Sequence, residues 1–359
     1  MFDDLRPIDA VGQRTSPLYI AGPCSAESRE QMLATARGVA ACGVDWLRAG
    51  VWKPRTKPGG FEGMGDVALE WLAEAKAVTG LRTMTEIATP RHLEAALRSG
   101  VDGVWIGART TTNPFAVQQI ADALQGIDIP VLVKNPVNPD VNLWIGSIER
   151  IYNAGIRRLA AIHRGFGSYE PNIYRNPPQW SVAFELRRQI PSIPIICDPS
   201  HIGGRADLVA PLAQQALDMG FDGLMIESHC SPEYALSDSA QQLTPDALRD
   251  LIGSIRLRRT PDAPDAMRDF RMQIDAIDNR LIELLAERMS IAREIGRYKS
   301  QHGMPIVHRD RFNEILEAAS ARAVATRMSS KFICRIITDI HEESVRQQWE
   351  VSDKKQRSM

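Results

Sequence analysis

Eight short apolar runs, at residues 18–24, 46–52, 81–87, 103–108, 131–136, 158–165, 195–200 and 223–229, punctuate the first 230 residues of the chain. Between them, apolar residues recur at helical spacing, as at 32–41, 68–78, 90–99, 116–124, 145–154, 182–190 and 208–219. Continuous apolar runs of strand length, alternating with amphipathic helices, predict parallel strands covered on both faces. Eight such units predict an α/β fold of the (β/α)8 TIM-barrel type. Active sites of these barrels lie at the C-terminal mouth. There, at or just past the ends of the runs, stand Cys24, Lys53, Glu86, Arg109, Lys134, Arg164, His201 and Glu227.

The pattern changes beyond residue 257. A helix around 245–257 closes the barrel, and RRTPDAPDA at 258–266 then breaks the periodicity with two prolines and reads as a linker. A long helical pattern follows over 266–301, a second over roughly 309–323 and a third over roughly 329–349. The expected organisation is a barrel over 1–257, a linker over 258–266 and a small all-α three-helix domain over 267–359. Three helices bury little core alone, so this domain is expected to pair with a second copy, giving a homodimer or a higher homo-oligomer. In the long helix Arg288 and Lys299 are 11 residues apart, about three turns and 16 Å, so both can converge on one small dianion. Arg271 lies about 25 Å before Arg288 and roughly 100° round the axis, beyond reach of that ligand within one straight helix. An antiparallel partner helix could deliver it from a second chain. Ser344 and Gln348, four apart, share a face and offer neutral hydrogen bonds.

Composition narrows the class of function. The 359 residues include 43 basic and 44 acidic side chains, so bulk charge favours neither nucleic acid nor a membrane surface. No apolar run approaches the ~20 residues that span a bilayer, and the first residues, MFDDLRPIDA, lack a basic-then-apolar signal pattern. Five scattered cysteines suit a reducing compartment better than a disulfide framework. The expectation is a soluble cytoplasmic protein.

At the barrel mouth, Arg48, Lys53, Arg55, Arg109, Lys134 and Arg164 outnumber the nearby carboxylates Glu86, Asp198 and Glu227. Crowded like charges are costly, which argues for a substrate bearing several negative charges, such as two phosphates and a carboxylate. Cys24, His201, Glu227 and Asp238 together offer a thiolate, an imidazole and two carboxylates to a divalent ion. That mixed set favours Mn, Fe, Co or Zn over Mg or Ca, at one transition metal per barrel.

These residues stand in motifs: AGPCS at 21–25, KPRT at 53–56, IGART at 106–110, DPSHIGGR at 198–205, and GLMIESH at 223–229 with ALSD at 235–238. In this order they resemble the 3-deoxy-D-arabino-heptulosonate 7-phosphate (DAHP) synthase family, in its shorter, barrel-only branch, over roughly residues 15–255. The resemblance implies condensation of phosphoenolpyruvate with erythrose 4-phosphate. Metal dependence is implied too, since related octulosonate phosphate synthases that need no metal carry Asn where this chain has Cys24. By motif, Cys24, His201, Glu227 and Asp238 would ligate the metal, and Arg109 with Arg164 would hold the phosphoenolpyruvate phosphate. Arg48, Lys53 and Lys134 would face its carboxylate, and Arg55 with Thr56 would hold the sugar phosphate. Lys53 is also a proton donor to the aldehyde oxygen, Glu86 a candidate for later proton transfers, and Asp198 a residue orienting Lys53 or a ligand.

The helical region reads RMQIDAIDNRL at 271–281 and ERMSIAREIGRYK at 287–299, and resembles the all-helical chorismate mutase domain over 267–349. The resemblance implies an intertwined dimer that rearranges chorismate to prephenate, with Arg271, Arg288, Lys299, Arg311, Ser344 and Gln348 in the binding roles. Two positions depart from the family: Phe312 follows the active-site arginine where Glu is usual, and His308 stands where Asp is common. Two alternatives remain: the helical domain as a dimerising module that senses chorismate or prephenate, and the barrel as a synthase using another aldose phosphate.

Overall fold

The structure, a computed structural model, describes residues 2–8, 16–53, 59–169, 171–258, 265–307 and 309–356. The chain divides into two compact units, Met1–Arg258 and Arg259–Met359. Among the described residues no helix is long and apolar enough to cross a membrane.

In the first unit β1 (Leu18–Gly22), β2 (Trp46–Arg48), β3 (Arg82–Ile87), β4 (Gly103–Ile106), β5 (Val131–Lys134), β6 (Leu159–His163), β7 (Ile195–Cys197) and β8 (Gly223–Glu227) form a closed parallel barrel. The ring closes where β8 pairs with β1, Leu18 opposite Gly223 and Gly22 opposite Glu227. Around it run α1 (Arg29–Ala40), α2 (Asp66–Thr79), α3 (Pro90–Arg98), α4 (Ala108–Thr111), α5 (Pro114–Ala123), α6 (Val141–Asn153), α7 (Trp180–Gln189), α8 (Pro199–Gly203), α9 (Val209–Asp218) and α10 (Pro245–Ser254). Several helices start on a side-chain cap that accepts a hydrogen bond from an otherwise unpaired backbone N–H: Ser28, Thr89, Asp140, Asp198 and Thr244.

Alternate strand residues serve two cores. Leu18, Ile20, Trp46, Met84, Trp105, Leu132, Ile162, Ile196 and Met225 fill the barrel interior. Ala21, Leu47, Ile87, Val104, Val133, Ala161 and Ile226 face the helix layer. The strands are shorter than the apolar runs because Cys24, Trp52, Pro136, Ser200 and His229 have already left the ladder at the mouth.

His163, at the end of β6, is fully buried against Trp144, Phe166, Trp180 and Phe221, with ring centroids 5.2–6.2 Å away. Burial pushes its imidazole down to about 3. The unfolded chain protonates below about pH 6.5 while the folded chain does not. Stability from this group is therefore complete above that pH and is lost progressively as the pH falls toward 3. Between pH 7 and 4.5 the parent should lose about 2–3 kcal/mol more of unfolding free energy than His163→Asn. Urea titrations at the two pH values would show this, and equal losses in both proteins would refute it.

The second unit comprises α11 (Asp265–Gln301), α12 (Arg309–Ala325) and α13 (Ser330–Gln356), with α13 packed against both others. Among the described residues only the second half of α11 finds cover: Met289 and Ala292 are buried with Ser344 and Gln348 of α13. The first half leaves Phe270, Ile274, Ile277, Leu281 and Leu284 exposed, an apolar face uncovered in a single chain.

Candidate functional site

At the barrel mouth the donor atoms of Cys24, Glu227 and Asp238 all lie within 4.8 Å of one another. The Cys24 backbone N–H donates to Gln242 Oε1 at 2.9 Å, and its thiol lies 3.4 Å from Asp238 Oδ2. Gln241 Nε2 donates to Glu227 Oε2 at 2.7 Å, which leaves the buried Glu227 Oε1 with no hydrogen bond. Arg48 Nη2 stands 3.2 Å from that oxygen, and both side chains are fully buried. His201 adjoins the trio, with Nε2 3.7 Å from Glu227 Oε1, but does not share its common 4.8 Å radius.

Electrostatics follow from this crowding. Burial, then the charges of Glu227 and Asp238, push the Cys24 thiol up to about 12 against the pull of Lys53 and Arg48. Such a thiol ionises at neutral pH only if a further positive charge arrives, as a divalent cation supplies. Burial opposes ionisation of Glu227 as well, yet His201, then Arg48 and Lys53, hold its carboxyl below the ordinary range. An orphaned carboxylate oxygen beside a thiol and a second carboxylate fits a transition-metal seat.

Second contacts fix the donors. Asp198 Oδ2 lies 2.8 Å from both Lys134 Nζ and His201 Nδ1, while its Oδ1 accepts from the His201 backbone N–H at 3.0 Å. Asp198 thus orients His201 rather than Lys53. Lys53 Nζ instead reaches Cys24, 3.0 Å from both its carbonyl oxygen and its sulfur. Glu86 is tied to the barrel interior, its Oε2 accepting from Trp105 Nε1 at 3.0 Å. The same indole carries Arg48 over its face at 4.9 Å and Lys134 at 5.9 Å.

Arg164 donates from Nη1 to Asn176 Oδ1 at 2.8 Å. Burial, followed by the neighbouring charges of Arg175 and Arg109, pushes its guanidinium down to about 10. A half-buried cation facing two more cations is relieved by an anion. Arg109 is the exposed residue of α4, at the rim of β4. Arg55 and Thr56 lie outside the described residues.

Arg175, Asn176 and Gln241 join the site from segments that the strand pattern does not reach. Arg175 Nη1 is 3.0 Å from Asp238 Oδ1 and 2.9 Å from Gln241 Oε1, so it braces the acidic side of the site. One signal was available in DPSHIGGR. At Gly204 (φ +69°) a Cβ would come within 2.5 Å of the Arg175 side chain.

In the helical unit Arg288, Lys299, Arg311, His341, Ser344 and Gln348 line one cavity of about 420 Å³. Arg288 Nη1 donates to Ser344 Oγ and, at 3.4 Å, to Ile340 O. No carboxylate lines the cavity among the described residues; Glu314 faces Arg311 at 2.8 Å without reaching it. Arg271 sits on the exposed half of α11 and does not line the cavity. Phe312 stacks on His341 at 4.4 Å, and His308 lies outside the described residues.

Comparison with known proteins finds a family match for each of the two units. A family model described as the DAHP synthetase I family matches residues 8–255, and one described as chorismate mutase type II matches residues 270–349. Phospho-2-dehydro-3-deoxyheptonate aldolase of Thermotoga maritima is 36% identical over 237 residues, covering 66% of this chain and 68% of that protein. The T-protein of Haemophilus influenzae is 32% identical over 80 residues, 22% of this chain and 21% of its own length. Among solved structures, a DAHP synthase from Thermotoga maritima superposes with a TM-score of 0.59 at 34% identity, covering 66% of each chain.

Proposed function

The chain belongs to the DAHP synthetase I family over residues 8–255 and carries a chorismate mutase type II domain over 270–349, and on that premise we propose that it condenses phosphoenolpyruvate with erythrose 4-phosphate and separately rearranges chorismate to prephenate. The observation that carries the first activity is the thiol and two carboxylates, within 4.8 Å of one another, set beside Arg48, Lys53 and Lys134.

In the condensation, C3 of phosphoenolpyruvate bonds to the aldehyde carbon, water adds at C2, and the C2–O bond breaks to release phosphate. Arg164 and Arg109, with Arg175 adjacent, take the phosphate of phosphoenolpyruvate. Arg48 and Lys134, fixed over Trp105, face its carboxylate. Lys53 Nζ is placed to donate a proton to the oxygen that becomes an alkoxide. Arg55 and Thr56 are proposed to take the sugar phosphate. Cys24, His201, Glu227 and Asp238 would hold a divalent ion of Mn, Co, Fe or Zn, which when bound supplies Lewis-acid polarisation of the aldehyde.

In the helical cavity Arg288, Lys299 and Arg311 would hold the two carboxylates of chorismate in a reactive conformer, with Ser344 and Gln348 giving neutral contacts. The uncovered face of α11 fits pairing with a second copy, which would bring Arg271 to the cavity. The five unpaired cysteines suit a reducing compartment such as the cytoplasm.

One experiment tests both activities. DAHP formation and loss of chorismate absorbance are assayed on the full chain, before and after exhaustive chelation. Synthase activity should fall by about 10²-fold or more and return with Mn, Co, Fe or Zn, while mutase activity stays constant. Full synthase activity after chelation would sink the metal reading, and arabinose 5-phosphate outperforming erythrose 4-phosphate would sink the substrate reading. Prephenate binding without chorismate turnover would favour a sensory helical domain.

A further inference from the structure

His341 is unusual among the groups lining the helical cavity. It lies three residues before Ser344 and seven before Gln348, one face of α13, and turns its ring toward the same space as Arg288 and Lys299. Gly296 of α11 permits this close fit, since a Cβ there would come within 2.8 Å of Gln348 Cα. Phe312 stacks flat on the imidazole, 4.4 Å away and 26° from parallel, and fixes its plane. Beyond that stack lies a second cavity of about 700 Å³, which His341 also lines. Among the described residues the nearby Gln348 Oε1 is buried and has no hydrogen-bond partner.

The charges facing this ring are mostly positive. Arg288 and Lys299 face it from α11, and Arg311, paired with Glu314 at 2.8 Å, from α12. On α13 itself stand Glu342, and, in the second cavity, Arg346 and Glu350, which pair with each other. Burial first, then Arg288 and Lys299, hold the imidazole below its ordinary value, against a smaller opposing pull from Glu342. A dicarboxylate bound between those two cations cancels the repulsion and offers an acceptor to the ring. The physics of the ring then reverses.

We propose that His341 is a further ligand-binding residue of the helical cavity, and that its imidazole takes up a proton as a dicarboxylate binds. The inference rests on the reading of this cavity as a dicarboxylate site and adds a residue and a proton to it. By reciprocity, whatever binding does to the proton affinity of His341, protonation does to binding, so affinity should rise as the pH falls.

Prephenate is the probe, with the full chain as the protein. Isothermal titration calorimetry in two buffers of different ionisation enthalpy measures net proton uptake in the parent, and Kd is followed from pH 6 to 8. The parent should take up a measurable fraction of a proton, with Kd rising about threefold or more across that range. In His341→Asn the uptake should vanish and Kd should change by less than about twofold over the same range. His341→Gln serves in its place should the Asn variant lose its helical circular dichroism. No proton uptake by the parent, or uptake unchanged in the variant, would overturn the proposal while leaving the site itself intact. Failure of the parent to bind either prephenate or chorismate would instead overturn the reading of the domain, and this inference with it.

Discussion

Cys24→Ala should lower DAHP synthase turnover by about 10³-fold or more, equivalent to about 4 kcal/mol of lost transition-state stabilisation, while chorismate rearrangement stays at the parent rate. Cys24 supplies the one soft donor of the trio with Glu227 and Asp238. Without it two carboxylates and a neighbouring imidazole remain, a set that discriminates less well in favour of transition metals. The variant also removes one of the two acceptors at 3.0 Å for Lys53 Nζ, leaving the proton donor held by the backbone carbonyl of residue 24 alone. Retained metal, measured by elemental analysis after gel filtration, should fall in step with activity. A variant that keeps its metal yet loses turnover would assign Cys24 to positioning Lys53, and one that keeps both would refute ligation.

Arg288→Ala should abolish most mutase activity, by about 10²–10³-fold, as expected for removing one preorganised charged donor, and should leave DAHP formation unchanged. Arg288 is half-buried and braced by Ser344 Oγ and Ile340 O, so its fork is held in place before substrate arrives. Arg288→Lys keeps the charge but loses the fork and should recover only part of the rate. Initial rates of chorismate loss decide the matter. An alanine variant within about tenfold of the parent would remove Arg288 from the reaction.

The barrel was legible because parallel strands buried on both faces are written as uninterrupted apolar runs. The first residue of each observed strand lies within one position of the run that predicts it, as at Leu18, Trp46 and Ile195. The ends were less legible. Val51 and Ser200 are buried by the mouth rather than by strand pairing, so hydrophobicity continued after the ladder stopped. Cys24 and Glu227 could be gathered because each sits at or near a strand end, and Asp238 because it stands in the ALSD motif of the loop that follows β8. Arg175, Asn176 and Gln241 could not, because they come from a loop and a single 3-10 turn whose position only the closed fold determines. Helical spacing placed Arg288 and Lys299 together, and it set Arg271 apart from them. His341 is silent in the sequence because a lone histidine on a helix has no pattern of its own.

Closure of the ring between β1 and β8 has a consequence for how the molecule comes into being. Cys24 and Asp238 are 214 residues apart in sequence, yet they meet at the one seam where first strand joins last. A growing polypeptide therefore emerges with one of its four proposed metal donors, Cys24, and completes the set only after the eighth strand has been made. Contacts of such long range are the slowest to form. An ion held there would act as a clasp, favouring the joined state in proportion to its concentration over its dissociation constant. Metal supply would then govern how long the two edge strands at the seam stay apart, and so how many chains reach a lasting folded state, before it governs how fast any of them turns over.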